Sequence, residues 1–221
     1  MKNILFIAYQ FPPIGGAGVR RSIHFVNQLP KLGYEPIVVT IKNNESTKTG
    51  KPQDEIGLNQ ISSETNIHRI QAHIYPRWIK TLQHLRLYRL FWFLFYPFFW
   101  ERGCLWPLLS SKKIAEIGRE NNCKIVYTSS SPYFTILLGW WLKKKYAFKW
   151  VADIRDPFTD CYAYTFPSKI HWYISRTIEH YILKSADHVI VNNDEVKKLY
   201  TSHYGFSPQK VSTIHNMISH D

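Results

Sequence analysis

Asn3-Ile4-Leu5-Phe6-Ile7-Ala8-Tyr9-Gln10-Phe11-Pro12-Pro13-Ile14-Gly15-Gly16-Ala17-Gly18-Val19-Arg20-Arg21 is the stretch whose pattern decides the fold. From Ile4 to Ala8 the apolar residues run without alternation, so Asn3 to Ala8 reads as a strand buried on both faces. Pro12 to Gly18 is a loop. Val19 to Leu32 then shows helical periodicity and stops at Gly33, the residue that ends helices in a left-handed conformation. The glycines let the backbone approach a ligand closely, and the helix after them offers free N–H groups and a positive dipole end. Arg20 and Arg21 add charge suited to phosphate. A turn that merely needs positive φ would use the same glycines. Their place between a strand and a basic helix favours an anion site built on Gly15, Gly16, Gly18 and Arg20.

The same alternation continues outward. Strands are predicted at Pro36–Ile41, His68–Gln71, Lys124–Thr128, Trp150–Ile154, Asp187–Val191 and Val211–Ile214. Helices are predicted at Ser110–Asn121, from Ser131-Pro132 to about Tyr146, and at Pro167–Ser185, where Ile170, Ile174, Ile178 and Ile182 recur every fourth residue. Asn192-Asn193-Asp194-Glu195 reads as a capping box led by Asn192. Lys42 to Glu64, rich in Asn, Ser, Thr and Lys, reads as a long loop. Apolar strands alternating with helices predict an α/β fold: a Rossmann-like, doubly wound, mostly parallel sheet with helices on both faces. Ligands of such sheets bind outside the carboxyl ends of the strands, so the loops after strands are where function is sought.

A chain of 221 residues can bury a full core without disulfides or metal. Cys104, Cys123 and Cys161 are odd in number and form no CxxC pair, and no histidines share a metal-ligand spacing, so neither metal nor cofactor is expected. The apolar run after Met1-Lys2-Asn3 is too short for a secretory signal. The longest uncharged apolar stretch, Leu90 to Trp100, is 11 residues, against the roughly 20 needed to span a bilayer. A cytoplasmic setting and no membrane-spanning helix are therefore expected. The net charge of +12 calls for an anionic partner. The charges are dispersed and no nucleic-acid module appears, which points away from nucleic acid and toward phosphorylated small molecules or anionic lipid.

Residues 76–109 differ in kind. Trp78, Ile79, Leu82 and Leu85 share one helical face and Arg77, Lys80 and His84 the other. Arg86 and Arg89 then project on the apolar side, Phe91 to Trp100 is apolar all round, and Pro97 should break or kink any helix there. The aromatics could pack on the sheet as core. Alternatively, Trp78, Arg86, Arg89, Trp92, Phe95, Phe99 and Trp100 form a peripheral contact with a membrane surface.

Three further loops follow strands. Ser129-Ser130-Ser131-Pro132 could hold a sugar or phosphate through Ser130 and Ser131, or Ser131 could cap the next helix. Asp153-Ile154-Arg155-Asp156 crowds three charges at the end of a buried strand. A structural Asp–Arg pair would explain one acid and the arginine; the other acid, Asp156 or Asp153, could orient a substrate hydroxyl or act as a base. Asn192 to Glu195 is accounted for by capping alone. A nicotinamide cofactor is disfavoured, because Arg21 stands where the third glycine of the dinucleotide fingerprint belongs and Thr40-Ile41-Lys42 where the ribose-binding acid would be. No Gly-Lys-Ser/Thr follows the glycine loop either.

Taken in order, these motifs resemble a known family. Tyr9-x-Phe11-Pro12-Pro13-x-Gly15-Gly16-x-Gly18-x-Arg20 resembles the opening of family-4 glycosyltransferases of the GT-B fold. Ser129-Ser130-Ser131-Pro132, Ala152-Asp153-Ile154-Arg155-Asp156-Pro157 and Ala186-Asp187-His188-Val189-Ile190-Val191 resemble a bacterial subgroup that builds surface polysaccharides. Lys210-Val211-Ser212-Thr213-Ile214-His215-Asn216 is similar to the hinge between the two halves of such enzymes, with Met217 in place of its usual glycine. The resemblance implies sugar transfer from a nucleotide-sugar donor to a glycan or lipid-linked acceptor, with retention and usually without metal. It implies that residues 1–214 are the N-terminal, acceptor-side domain, with the aromatic and basic insertion at about 76–109, and that 215–221 open the hinge to a separate or missing C-terminal donor domain. It implies substrate contacts by Gly15, Gly16, Gly18, Arg20, Ser130, Ser131 and Arg155, with Asp156 and Asp153 as candidate catalytic acids. The aromatic segment fits a lipid-linked acceptor and a peripheral position on the inner face of the membrane. Two alternatives remain. One is a non-catalytic half-enzyme that binds a phosphorylated or lipid-linked glycan; the other is a different doubly wound enzyme with a phosphorylated ligand.

Overall fold

The computed structural model describes residues 1–42, 55–72, 81–82, 84–99, 104–130, 132–161 and 164–216. One sheet holds β1 (Lys2–Ala8), β2 (Tyr34–Ile41), β3 (Ile67–Ile70), β4 (Ile125–Ser129), β5 (Lys149–Ile154), β6 (His188–Val191) and β7 (Val211–Thr213). Its order is β3-β2-β1-β4-β5-β6-β7 and every adjacent pair is parallel. This is the Rossmann-like sheet expected of the N-terminal half of a GT-B architecture, and its order reverses between β1 and β4.

The unbroken apolar strands are explained by two cores. Along β1, Leu5 and Ile7 enter one core with Val39, Ile41, Val126 and Trp150, whereas Ile4, Phe6 and Ala8 enter the other with Val38 and Tyr127. Strand residues alternate between faces, so only a sheet covered on both sides buries both sets. Helix α1 (Ala17–Gln28) covers the second core through Val26. The larger core takes Ile114 of α4 (Trp106–Glu120), Ile136 and Leu138 of α5 (Phe134–Tyr146), and Ile182 and Leu183 of α6 (Lys169–Lys184). The isoleucine row of α6 does not stay in that core. Ile182 is buried, but Ile170 is 70% exposed, because residues at fourfold spacing drift around a 3.6-residue helix.

The remaining α-helices among the described residues are α2 (Glu55–Asn59), α3 (Tyr88–Phe99) and α7 (Asp194–Lys198). Part of the predicted Lys42–Glu64 loop is thus helical, and residues 43–54 lie outside the described ones. Helix α4 starts at Trp106, ahead of the predicted Ser110, with Pro107 in its first turn, where a missing N–H is harmless. The cap of α7 is Asn193, not Asn192: its side chain accepts the Val196 N–H at 2.8 Å.

Helix α3 bends at Phe95, whose φ and ψ are −112° and 17°. Pro97 has no N–H for the carbonyl of Phe93. His171 on α6 supplies it, its Nε2 lying 2.6 Å from that oxygen while Nδ1 lies 2.7 Å from Ser168 Oγ. A carbonyl only accepts, so Nε2 carries the proton. The Tyr96 hydroxyl donates to the Thr165 carbonyl at 2.9 Å. Two side-chain-to-backbone bonds therefore fasten the aromatic helix to the start of α6.

Candidate functional site

The glycine loop leaves β1 braced by its neighbours. Thr40 Oγ1 donates to the Tyr9 carbonyl at 3.1 Å, and Arg69 Nη2 donates to the Pro12 carbonyl at 2.6 Å. Gly16 precedes α1 with φ 138° and ψ 154°, a conformation only glycine adopts readily. Among the described residues no side chain caps α1 and no acid stands in its first turn, so the helix end presents N–H donors and partial positive charge. Gly18 is required for a different reason. A Cβ there would lie 1.1 Å from Nη1 of Arg155 and 2.1 Å from its Cζ. The guanidinium therefore rests on bare backbone. Ala8, Gln10, Gly18, Ser22, Ser129 and Arg155 line a small depression at the point where the sheet order reverses.

Arg155 comes from the loop after β5 and is oriented by the loop after β4. Its N–H donates to Ser130 Oγ at 3.0 Å and its Nε to the Ser130 carbonyl at 2.5 Å. Burial lowers the pKa of its guanidinium, opposed by the charges of Asp153 and Asp156. A partly desolvated cation at a helix N-terminus is an arrangement suited to a phosphate or carboxylate.

The two acids of this loop have different surroundings. Asp156 is exposed. Asp153 has 0% exposure and receives Arg21 Nε at 2.9 Å and Nη2 at 2.7 Å. Arg21 is also buried. Desolvation works against its charge, but the hydrogen bonds and charge of Asp153 outweigh this and raise its pKa. A structural Asp–Arg pair thus exists, but the arginine comes from α1 and not from the adjacent Arg155. Asp153 presents no surface to a substrate in this structure, so its expected reach to a hydroxyl is not seen here. The buried Tyr127 hydroxyl also has a pKa well above its usual value, through burial and then the Asp153 charge.

One buried acid was not anticipated. Glu179 on α6 has no exposure, and its carboxylate accepts the N–H groups of Phe158 (3.0 Å) and Thr159 (3.1 Å). It also accepts the hydroxyls of Thr159 (2.7 Å), Tyr200 (2.8 Å) and Tyr204 (2.9 Å). Burial and then the Glu179 charge raise both tyrosine pKa values. This network fixes the loop that carries Arg155 and Asp156. Its partners are scattered along the sequence, and only the tyrosines at 200 and 204, one helical turn apart, hint at it.

Residues 14–221 match the sequence profile of Glycosyltransferase Family 4. The chain belongs to glycosyltransferase family 4. Among solved structures it is similar to a glycosyltransferase from Rickettsia africae, at 18% identity and TM-score 0.53, over 97% of this chain and 42% of that one. It is similar to Anabaena HepE, solved with UDP and glucose, at 10% identity and TM-score 0.56, over 99% of this chain and 45% of that one. S. aureus MnaA, solved with UDP, matches at 12% identity and TM-score 0.53, over 96% of this chain and 43% of that one. These likenesses are of fold, and the chain spans less than half the length of each. No curated protein matches it significantly.

Other sequence-predicted positions of this family-4 chain are distributed as follows. Gly15 is buried, Arg20 is exposed, and Ser130 is buried beneath Arg155. Ser131, Trp78 and Trp100 lie outside the described residues, as does the side chain of Phe99. Arg86 and Arg89 are exposed and Trp92 is half-buried against Tyr96, with ring centroids 4.8 Å apart. Phe95 is 44% exposed. The aromatic segment therefore divides, with Tyr96 facing α6 and Leu90, Leu94 and Phe95 outward. Among the described residues no helix is long and apolar enough to cross a membrane.

Proposed function

We propose that this chain is the acceptor-side half of a retaining glycosyltransferase that moves a sugar from a nucleotide-sugar to a lipid-linked glycan in surface polysaccharide synthesis. The observation that carries this reading is the convergence of the uncapped α1 N-terminus, the bare backbone at Gly18 and the Arg155 guanidinium on one depression. A phosphate oxygen there would meet backbone donors, a helix-end charge and a partly desolvated cation. Arg20 supplies a second cation, Gly15 and Gly16 allow close backbone approach, and Ser130 and Ser131 are further substrate contacts on this reading. Asp156 is the group that orients or deprotonates an acceptor hydroxyl. Family membership supports sugar transfer, and the UDP complexes of the fold relatives support a nucleotide-sugar donor. A C-terminal donor domain, on this chain or another, completes the cleft.

Calorimetric titration with UDP tests the anion site. Arg155→Met is expected to weaken binding at least 10-fold, the order of a charge-assisted hydrogen bond. Unchanged affinity would remove Arg155 from the site. The burial of Asp153 favours a second reading, a half-enzyme that binds a phosphorylated glycan without turnover. UDP binding without UDP release, once donor half and acceptor are supplied, would select it.

The lipid-linked acceptor implies a peripheral position on the inner, cytoplasmic face of the membrane. No Asp or Glu occurs between Asn66 and Trp100, while the basic cluster Arg77, Lys80, Arg86 and Arg89 lies there. Each basic residue near an anionic surface adds about 1 kcal/mol. Sedimentation with phosphatidylglycerol vesicles is expected to carry the chain down, and Arg86→Glu with Arg89→Glu to release it. No difference between anionic and zwitterionic vesicles would sink this placement.

A further inference from the structure

We infer that Arg21 is a positioning residue that latches the segment leaving β7 onto the ligand-facing helix α1. Its Nε and Nη2 are committed to Asp153, which fixes the plane of the guanidinium. The remaining nitrogen, Nη1, donates to the Ile214 carbonyl at 2.7 Å and to Oδ1 of Asn216 at 3.1 Å. One rigid side chain therefore joins α1, β5 and the exit segment. Charge neutralisation of Asp153 needs only a cation, and a lysine would provide it. The two bonds to the exit segment need the planar, five-donor fork of arginine.

The same segment is also held by the sheet. The Ile214 N–H donates to the Val191 carbonyl at 2.8 Å, extending β7 by one residue. The backbone leaving β7 is thus held at Ile214 both by β6 and by Arg21. Arg21 follows Gly18 by less than one helical turn, so the latch and the anion site share the first turns of α1. The functional consequence rests on reading residues 215–221 as the start of a hinge. A swing of a following domain would break the two Nη1 bonds while the buried Asp153 pair persists. Arg21 thereby couples the start of that hinge to the helix carrying the glycine loop.

Amide hydrogen exchange on the 221-residue chain, read by NMR, tests the latch. The Ile214 amide is the reporter and Leu5 and Ile7 of β1 are controls. Asn216→Ala removes one acceptor and leaves the Asp153 pair untouched. It is expected to speed Ile214 exchange about 3- to 10-fold, as loss of one partly exposed charge-assisted bond would, with the controls unchanged. Asn216→Asp restores the acceptor and should return exchange to the wild-type rate or below. Arg21→Lys should loosen Ile214 as Asn216→Ala does; if that variant does not fold, the two Asn216 variants still decide. An unchanged Ile214 rate in Asn216→Ala, equal acceleration at the controls, or failure of Asp to rescue overturns the latch. UDP takes no part in the assay, so the latch and the nucleotide-sugar reading stand or fall separately.

Discussion

Replacing Gly18 with alanine should act through Arg155 and through almost nothing else. The new Cβ would sit 1.1 Å from Nη1, 2.1 Å from Cζ and 2.5 Å from Nη2. Ordinary carbon contact begins near 3.4 Å or beyond, so the guanidinium must retreat by about 2 Å. That exceeds what the 2.5 Å bond from Nε to the Ser130 carbonyl can stretch, and the bond is lost. A hydrogen bond from a charged donor contributes about 1.5–3 kcal/mol, and alanine in a helix regains up to about 1 kcal/mol over glycine. The net destabilisation is about 1 kcal/mol, a fall of roughly 2–4 °C in Tm for a chain of this size. The loss of UDP affinity should match that of Arg155→Met, at least 10-fold. A double-mutant cycle separates direct from mediated effects. In the Arg155→Met background Gly18→Ala should leave UDP binding unchanged and raise Tm slightly, because only the helix term remains. Additive losses would show that the alanine blocks the ligand itself, and the reasoning that glycine serves Arg155 would be refuted.

Gly139→Ala on α5 is a steric test with a rigid neighbour: its Cβ would lie 2.1 Å from Nε1 of Trp150, a fully buried ring held by Thr128 Oγ1 at 2.9 Å. Calorimetry should show a loss of about 2–3 kcal/mol, or roughly 5–10 °C, and an unchanged Tm would mean that the core yields. Asp187 accepts the Trp150 N–H at 2.7 Å and Lys143 Nζ at 2.6 Å; burial pushes its pKa up, but these partners win and hold it below the ordinary value. Its contribution is therefore present above about pH 4 and lost as pH falls through the folded value, so Asp187→Asn should flatten the acid limb of urea-measured stability, and an unaltered limb would assign it elsewhere. Arg21→Met should cost about 3–5 kcal/mol by stranding Asp153, and adding Asp153→Leu should recover part of that; a double variant no more stable than the single would show that the pair is not what Arg21 stabilises. Burial pushes the Cys123 thiol up to about 11, and Cys104 is also buried, whereas Cys161 is partly exposed. A disulfide reagent at pH 8 should then titrate one thiol quickly and two only after unfolding, and more than one fast thiol would contradict this burial.

The sheet was legible because its information is local. The central strands are short apolar runs bounded by turn residues, and both their faces are covered, so period and length identify them. Helix ends were less legible, since Asn192 and Asn193 are equivalent in composition and only the backbone conformation selects the second as the cap. The depression was half legible. Gly16 and Gly18 mark a close backbone approach, but no local pattern says that the approaching group is Arg155, more than a hundred residues away. Glu179 was not legible at all. On the sequence it is a charged residue in an amphipathic helix, and its burial is permitted by five donors drawn from two separate segments.

The pairing of charges shows why the loop after β5 misleads a sequence reading. Asp153, Arg155 and Asp156 are close enough in sequence to neutralise one another, yet Asp153 lies within β5 and the other two in the loop beyond it. Asp153 is the penultimate residue of β5 and points toward the face covered by α1, where Arg21 pairs with it, whereas Arg155 lies in the loop beyond the strand. That leaves Arg155 to lie across Gly18 at the open end of the sheet, with Asp156 exposed beside it. The residue that breaks the dinucleotide fingerprint, Arg21 in place of a third glycine, is thus the one that pairs with Asp153. A glycine at position 21 would bury Asp153 unpaired. Arg155 would then be the nearest cation, drawn inward to compensate and away from the helix N-terminus. The anion site at Gly18 depends in this way on a charge pair that never touches the ligand, and the Arg21→Met variant should lose UDP affinity even where it remains folded.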